Sequence, residues 1–134
     1  MIAKNAITFD GVNVKSAENV NSALKLNRFS ELPSDFLKFL EKTNGYIYYD
    51  LEFYGTISHT VEGRFFLFPD ILEYNKRFDE HDFLIEKLII GQDSQSFFIY
   101  DSAKKVYLLC DRISFTPIEA FKKLADLMKI VWYN

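Results

Sequence analysis

The chain has 134 residues, a mass of 15.8 kDa and a formal net charge of −3, with 49% hydrophobic and 26% charged residues. That balance supports a folded core and excludes a highly charged disordered chain, and 5 glycines with 3 prolines exclude collagen-like and linker-like sequences. At this length one core is expected, in a single domain over residues 1–134 with roughly 7,000 Å² of folded surface.

From the N-terminus, Asp10-Gly11 between short apolar arms signals a hairpin over 7–14, with an extended tail fixed by Ile7 and Phe9 as the alternative. Ser16 can cap a polar helix starting near Ala17, with Val20, Ala23, Leu24 and Asn27 as its stripe. A second helix is predicted over 33–43. Pro33 suits its first position, Asp35 its first turn and Asn44-Gly45 its stop, while Phe36, Leu37, Phe39 and Leu40 form its apolar side. Residues 46–49 and 51–54 are aromatic and β-prone, and 58–63 read as a loop. A strand follows over 64–68, closed by Pro69, and then a short helix over 70–77. The segment 83–90 fits a helix early and a buried strand late.

Gly91 to Gln95 reads as a turn, 96–100 and 106–110 as a hairpin, and 101–104 as its connection. Phe97-Phe98-Ile99 and Val106 to Leu109 are apolar on both parities, so these strands are expected to be covered on both faces. Thr116-Pro117-Ile118-Glu119 has the form of a capping box after a staple residue, Phe115. With Ile118, Phe121, Leu124, Ala125 and Met128 at steps of three and four, it predicts a last helix over 117–130, and Trp132 is expected to dock on the body. The order of elements predicts an α+β fold: one domain, a mainly antiparallel central sheet, and helices packed against it.

Charge is unevenly spread. Residues 50–101 hold eleven acids and four bases, a local net charge of −7 that leaves +4 for the remainder. An acidic surface repels a nucleic-acid backbone and favours a basic partner, although it also serves simply as a solvated face. No stretch reaches the roughly 18 apolar residues of a membrane span. Met1-Ile2-Ala3-Lys4-Asn5 lacks the apolar core of a secretory signal, and the lone Cys110 excludes an internal disulfide and fits a reducing compartment. A cytoplasmic protein is expected.

Catalytic and metal chemistry find little support. His59, His81 and Cys110 show no ligand spacing, and no cofactor motif is present, so no metal and no cofactor are expected. Cys110 lies in an apolar strand pattern, where free cysteine is usually a small buried hydrophobe. Ser94 lacks the second glycine of an esterase elbow. Asp79, Glu80 and Asp82 would serve acid–base chemistry only if buried together, and they occupy a polar connection. Lys104-Lys105 and Lys122-Lys123 read as a hairpin tip and a solvated helix face. Tyr46, Tyr48, Tyr49 and Tyr54, near Asp50 and Glu52, suit either a protein-binding surface or cross-strand ring pairs on a sheet.

Three ordered segments carry a resemblance: Leu32-Pro33-Ser34-Asp35-Phe36 through Leu40 to Asn44-Gly45, Leu88 to Asp93 leading into Phe97 to Asp101 and Lys105-Val106-Tyr107, and the element introduced by Ser114-Phe115. Together, over about residues 17–130, they resemble the SUKH superfamily, which includes the yeast cell-wall-synthesis regulator type and many bacterial immunity proteins. Leu32, Pro33, Phe36, Leu40, Asn44, Gly45, Ile90 and Gly91 match the family's structural motif. The chain departs from it in the glycine-poor segment Asp93-Ser94-Gln95 and in its polar first helix. The resemblance implies a one-domain α+β fold and, for the bacterial members, a non-enzymatic immunity protein that binds and blocks a toxin domain, frequently a nuclease. The expected partner is therefore a basic protein domain, with no direct nucleic-acid or membrane contact, met by a monomer or weak homodimer. The candidate face comprises Asp50, Glu52, Asp79, Glu80 and Asp82, flanked by Tyr48, Tyr49 and Tyr54. A scaffold protein binding a cellular partner is the alternative, and a small hydrolase using Cys110 or the acidic cluster is a further one.

Overall fold

The protein's structure, a computed structural model, describes residues 4–61 and 67–133. In chain order the described elements are β1 (Ile7–Thr8), α1 (Val14–Leu26), α2 (Ser34–Lys42), β2 (Tyr46–Tyr48), β3 (Leu51–Phe53), β4 (His59–Thr60), β5 (Leu67–Phe68) and α3 (Ile71–Lys76). A single 3-10 turn, Asp82–Leu84, then leads into β6 (Lys87–Gln92), β7 (Ser96–Asp101), β8 (Val106–Asp111), β9 (Pro117–Phe121) and α4 (Leu124–Tyr133). Seven strands form one antiparallel sheet in the order β1-β2-β3-β6-β7-β8-β9, and β4 pairs with β5 apart from it. The α+β class expected from the sequence is the class observed.

Two rows across the sheet explain its layers, because directly opposed residues share a face. Tyr46, Phe53, Gly91, Phe98 and Leu109 stand in one row. On this face the Phe53 ring meets Phe39 of α2 at 5.5 Å and Trp132 of α4 at 5.8 Å. Gly91 sits where Phe53 and Phe98 approach each other to 5.5 Å. A Cβ there would lie 2.4 Å from the Glu52 carbonyl oxygen, so only glycine closes the row. The second row, Ile47, Glu52, Gln92, Phe97 and Cys110, lies on the opposite face. There α3 lies over the sheet: Tyr74 Oη donates to Gln92 Oε1 (2.7 Å), and the Phe78 ring meets Phe97 at 5.4 Å. Cover on both sides is why β7 and β8 are apolar on both parities.

Asn75 of α3 fixes this layer. It is fully buried, and its Nδ2 donates to the carbonyls of Ile71 (2.8 Å) and Ile89 (2.9 Å), while its Oδ1 accepts from the Ile89 N–H (2.8 Å). β3 pairs with β6 only at Gly91 and Gln92. The outer backbone groups of Ile89 have therefore lost a strand partner, and the Asn75 amide supplies both an acceptor and a donor in its place.

Several expectations need correction. The region 117–130 is not one helix. Pro117–Phe121 is an edge strand on β8, and the helix begins only at Leu124. A proline at the start of an edge strand gives up no needed donor, so the Thr-Pro-Ile-Glu pattern suits both outcomes, and here β8 gains a partner. The helix then buries Leu124 and Leu127, with Met128, Val131 and Trp132 against the core, whereas Ile118 is 64% exposed. Phe115 is no staple: at φ 61° it turns its ring onto Phe97 at 5.1 Å. The first helix starts at Val14, capped by Asn13, whose Oδ1 accepts from the Ser16 N–H (2.8 Å), so Ser16 is not the cap. Pro33 stands just before α2, with extended ψ 149°, not inside it.

The extended tail is realised in place of the 7–14 hairpin: Ile7 pairs with Ile47, and Phe9 stacks on His59 at 3.7 Å. His59 and Thr60 leave the expected loop to pair with Phe68 and Leu67. Of the strand expected over 64–68, residues 64–66 lie outside the described residues. The ambiguous 83–90 resolves into the end of the 3-10 turn and the start of β6, which runs on through Gly91 and Gln92. Trp132 docks as expected, its Nε1 donating to Tyr46 Oη (3.3 Å).

Candidate functional site

The eight residues of the candidate face fall into two groups. The first is the β2–β3 hairpin. Tyr48 opposes Leu51, so the turn has two residues, Tyr49 and Asp50. Tyr49 has φ 55° at the first turn position, where glycine is favoured, yet its ring is 74% exposed and meets only the edge of Tyr48, at 4.7 Å, among the ring contacts described. A tyrosine held in a left-handed conformation with its ring in solvent contributes little to the core. Asp50 Oδ2 accepts from the Ser94 N–H (3.0 Å), tying this turn to the β6–β7 turn. Hydrogen bonds from the Ser94 hydroxyl and N–H hold the Asp50 carboxyl below the usual carboxylate range.

Glu52 is half-buried and already engaged. Its Oε1 accepts from Tyr54 Oη (2.9 Å) and Gln92 Nε2 (3.0 Å). Tyr54 is fully buried, with its ring stacked on Tyr74 at 4.1 Å and on Phe68 at 5.4 Å, so it leaves the candidate face and joins the core. Burial pushes both the Tyr54 and the Tyr74 hydroxyls above the ordinary tyrosine range. Glu52, Tyr54, Gln92 and Tyr74 thus form a closed hydrogen-bonded chain under α3.

The second group follows α3. Asp70 caps that helix, accepting from the Glu73 N–H (2.8 Å), and the chain then leaves it through Phe78. Asp79, Glu80 and Asp82 are exposed. The rings between and beside them gather on Phe115: Phe78 at 6.0 Å, His81 at 4.8 Å and Phe83 at 6.0 Å. Phe78 and Phe83 are only half covered. The two acidic groups do not converge on one point. A ring ladder starts at Tyr74 of α3 and continues beyond the helix to Phe78 (5.4 Å) and on to Phe115.

The chemical alternatives fare differently. Cys110 is fully buried, and desolvation pushes its thiol up to about 11, which leaves almost no thiolate at neutral pH. His59 is held with Nε2 2.8 Å from the Asn44 carbonyl oxygen and its ring on Phe9. Among the described residues no three histidines, cysteines or carboxylates form a group that could hold a metal ion. No helix among them is long and apolar enough to cross a membrane.

The motif residues Leu32, Pro33, Phe36, Leu40, Asn44, Gly45, Ile90 and Gly91 are all buried. Asn44 anchors them: its Oδ1 accepts from the Thr56 N–H (2.8 Å), its Nδ2 donates to Thr56 Oγ1 (2.8 Å), and its N–H donates to the Asp10 carbonyl (3.1 Å). Sequence reasoning missed Asn75 and the posture of Tyr49. An asparagine four residues after a helix-starting isoleucine was the only trace of the first, and an absent turn glycine the only trace of the second.

No family model matches the chain, and no curated protein matches it.

Proposed function

We propose that this chain is a SUKH-like, non-enzymatic cytoplasmic protein of the immunity type, which neutralises a basic toxin domain such as a nuclease by covering it in a stoichiometric complex. The observation that carries the reading is the exposed run Asp79, Glu80 and Asp82 beside the half-covered rings of Phe78 and Phe83. Carboxylates of this kind steer a basic cleft into place and repel nucleic acid, while accessible rings supply area that becomes dry on binding. Tyr49 offers a further aromatic anchor beside Asp50. The buried thiol of Cys110 and the engaged state of Glu52 and Tyr54 speak against a hydrolase built on those groups.

Binding alone would suffice for such a protein, since an occluded active cleft cannot meet its substrate. The test is capture from native lysate with this chain as bait, followed by expression of the captured protein with and without the chain. The reading expects a basic domain that arrests growth alone and is harmless in its presence. A captured partner that is harmless alone would favour the scaffold reading instead.

A further inference from the structure

The face of the sheet opposite α3 carries a charge pattern of the other sign. A cleft of about 440 Å³ lies between α2 and α4. Phe39, Leu124 and Met128 give it an apolar floor, and Lys38, Lys42 and Lys123 line it. Lys38 and Lys42 are four residues apart on α2 and therefore share a side of the helix. The one carboxylate in the lining, Asp35, is already engaged: its Oδ1 accepts from Tyr107 Oη and from the Phe36 N–H (3.1 Å), and its Oδ2 from the Leu124 N–H (3.1 Å). Strand register adds to the positive charge. Phe121 opposes Tyr107, so Lys122 and Lys123 leave β9 beside Lys104 and Lys105 at the β7–β8 turn, and all four are exposed. A chain that is acidic overall thus sets three lysines, Lys38, Lys42 and Lys123, around this cleft.

We infer that this cleft is a second interaction surface, and that its occupant is an acidic amphipathic helix of a partner protein. Apolar side chains of the helix would rest on exposed Ala125 and half-buried Met128 at the mouth of the cleft, above the buried Phe39 and Leu124, and its carboxylates would face Lys38, Lys42 and Lys123. The argument is one of complementarity. A bare polyanion would leave Ala125 and Met128 wet, and an uncharged helix would forgo the attraction of the three lysines. The cleft lies on the opposite side of the sheet from Asp79, Glu80 and Asp82, so this inference does not depend on the acidic face.

The probe is a fluorescein-labelled amphipathic helix of leucine and glutamate, titrated with the intact chain at low salt and read by anisotropy. Saturable binding is expected. It should weaken at least about tenfold for Lys38→Glu/Lys42→Glu, whose exposed positions keep the fold intact, and for Ala125→Glu on the exposed rim. It should be unchanged for Glu18→Gln, an exposed position on α1 outside both surfaces, and lost when serine replaces leucine in the probe. Absence of saturable binding overturns the inference. So does equal binding of the serine probe or of a single-stranded oligonucleotide, which would make the cleft a simple anion patch. Self-association of the chain without probe, abolished by Lys38→Glu/Lys42→Glu, would assign the cleft to a second copy and overturn it as well.

Discussion

Replacing Asn75 tests how α3 is fastened, and with α3 the whole acidic face. Asn75→Ala removes three hydrogen bonds and leaves the N–H and C=O of Ile89 buried without their Asn75 partner. Each orphaned group costs about 1–3 kcal/mol, so a loss of about 3–4 kcal/mol is expected, a large part of a small domain's stability. Asn75→Asp separates the two roles of the amide. The new carboxylate still accepts from the Ile89 N–H but faces the carbonyls of Ile71 and Ile89 without a donor. Burial and those carbonyls raise its pKa in the folded state above the unfolded value of about 3.9. For an acid with a raised folded pKa, stability is highest below the unfolded pKa and falls as pH rises toward the folded one. The Asn75→Asp variant should therefore sit closer to the parent at about pH 4 than at about pH 7. Urea unfolding read from the single tryptophan, Trp132, measures both variants, because Trp132 packs against Phe53 and Tyr46. An Asn75→Ala protein within about 0.5 kcal/mol of the parent, the range of neutral surface changes, would refute the reasoning.

Three further outcomes follow from the same geometry. Tyr49→Gly should raise stability by up to about 1 kcal/mol, because glycine relieves the left-handed turn position, while weakening capture of the partner; paired denaturation and pull-down measurements check both halves. Gly91→Ala should destabilise by about 1–3 kcal/mol, since the added methyl meets the Glu52 carbonyl and crowds the Phe53–Phe98 contact; a thermal melt decides it. Cys110, with its thiol pushed up to about 11, should resist iodoacetamide at about pH 8 in the folded protein and react once urea unfolds it. Because the folded thiol pKa is raised, its stabilising effect is present below the unfolded pKa and lost as pH climbs toward about 11. Rapid native alkylation, followed by mass spectrometry, would return Cys110 to the candidates for chemistry.

What the sequence revealed, and what it hid, divides along physical lines. The central strands were legible because β7 and β8 are covered on both faces, and that cover imposes apolar residues on both parities. The second helix was legible because its start and stop are chemical: Pro33 at its entrance, and Gly45 at φ 118° beyond its end. The C-terminal region misled because Ile118, Phe121, Leu124 and Ala125 recur with helical spacing, although the first two belong to an edge strand. An edge strand with Ile118 in solvent lacks the alternation that normally identifies one. Only the need of β8 for an outer partner, a tertiary requirement, decides the matter. The acidic run 79–82 was legible as charge. The burial of Tyr54 was not, since Tyr46, Tyr48, Tyr49 and Tyr54 look alike until strand register assigns each to a side. Asn75 was invisible for a related reason: the backbone groups it satisfies are left open by the shortness of β3.

The most direct measurement of the proposed role is the rate at which the captured partner associates with the parent chain and with Glu80→Lys/Asp82→Lys, followed by stopped flow at low and high salt. If the acidic run guides a basic surface onto this protein, the double reversal slows association by roughly tenfold or more at low salt, and the difference shrinks as salt screens it. An association rate that the reversal leaves unchanged at low salt would contradict the account.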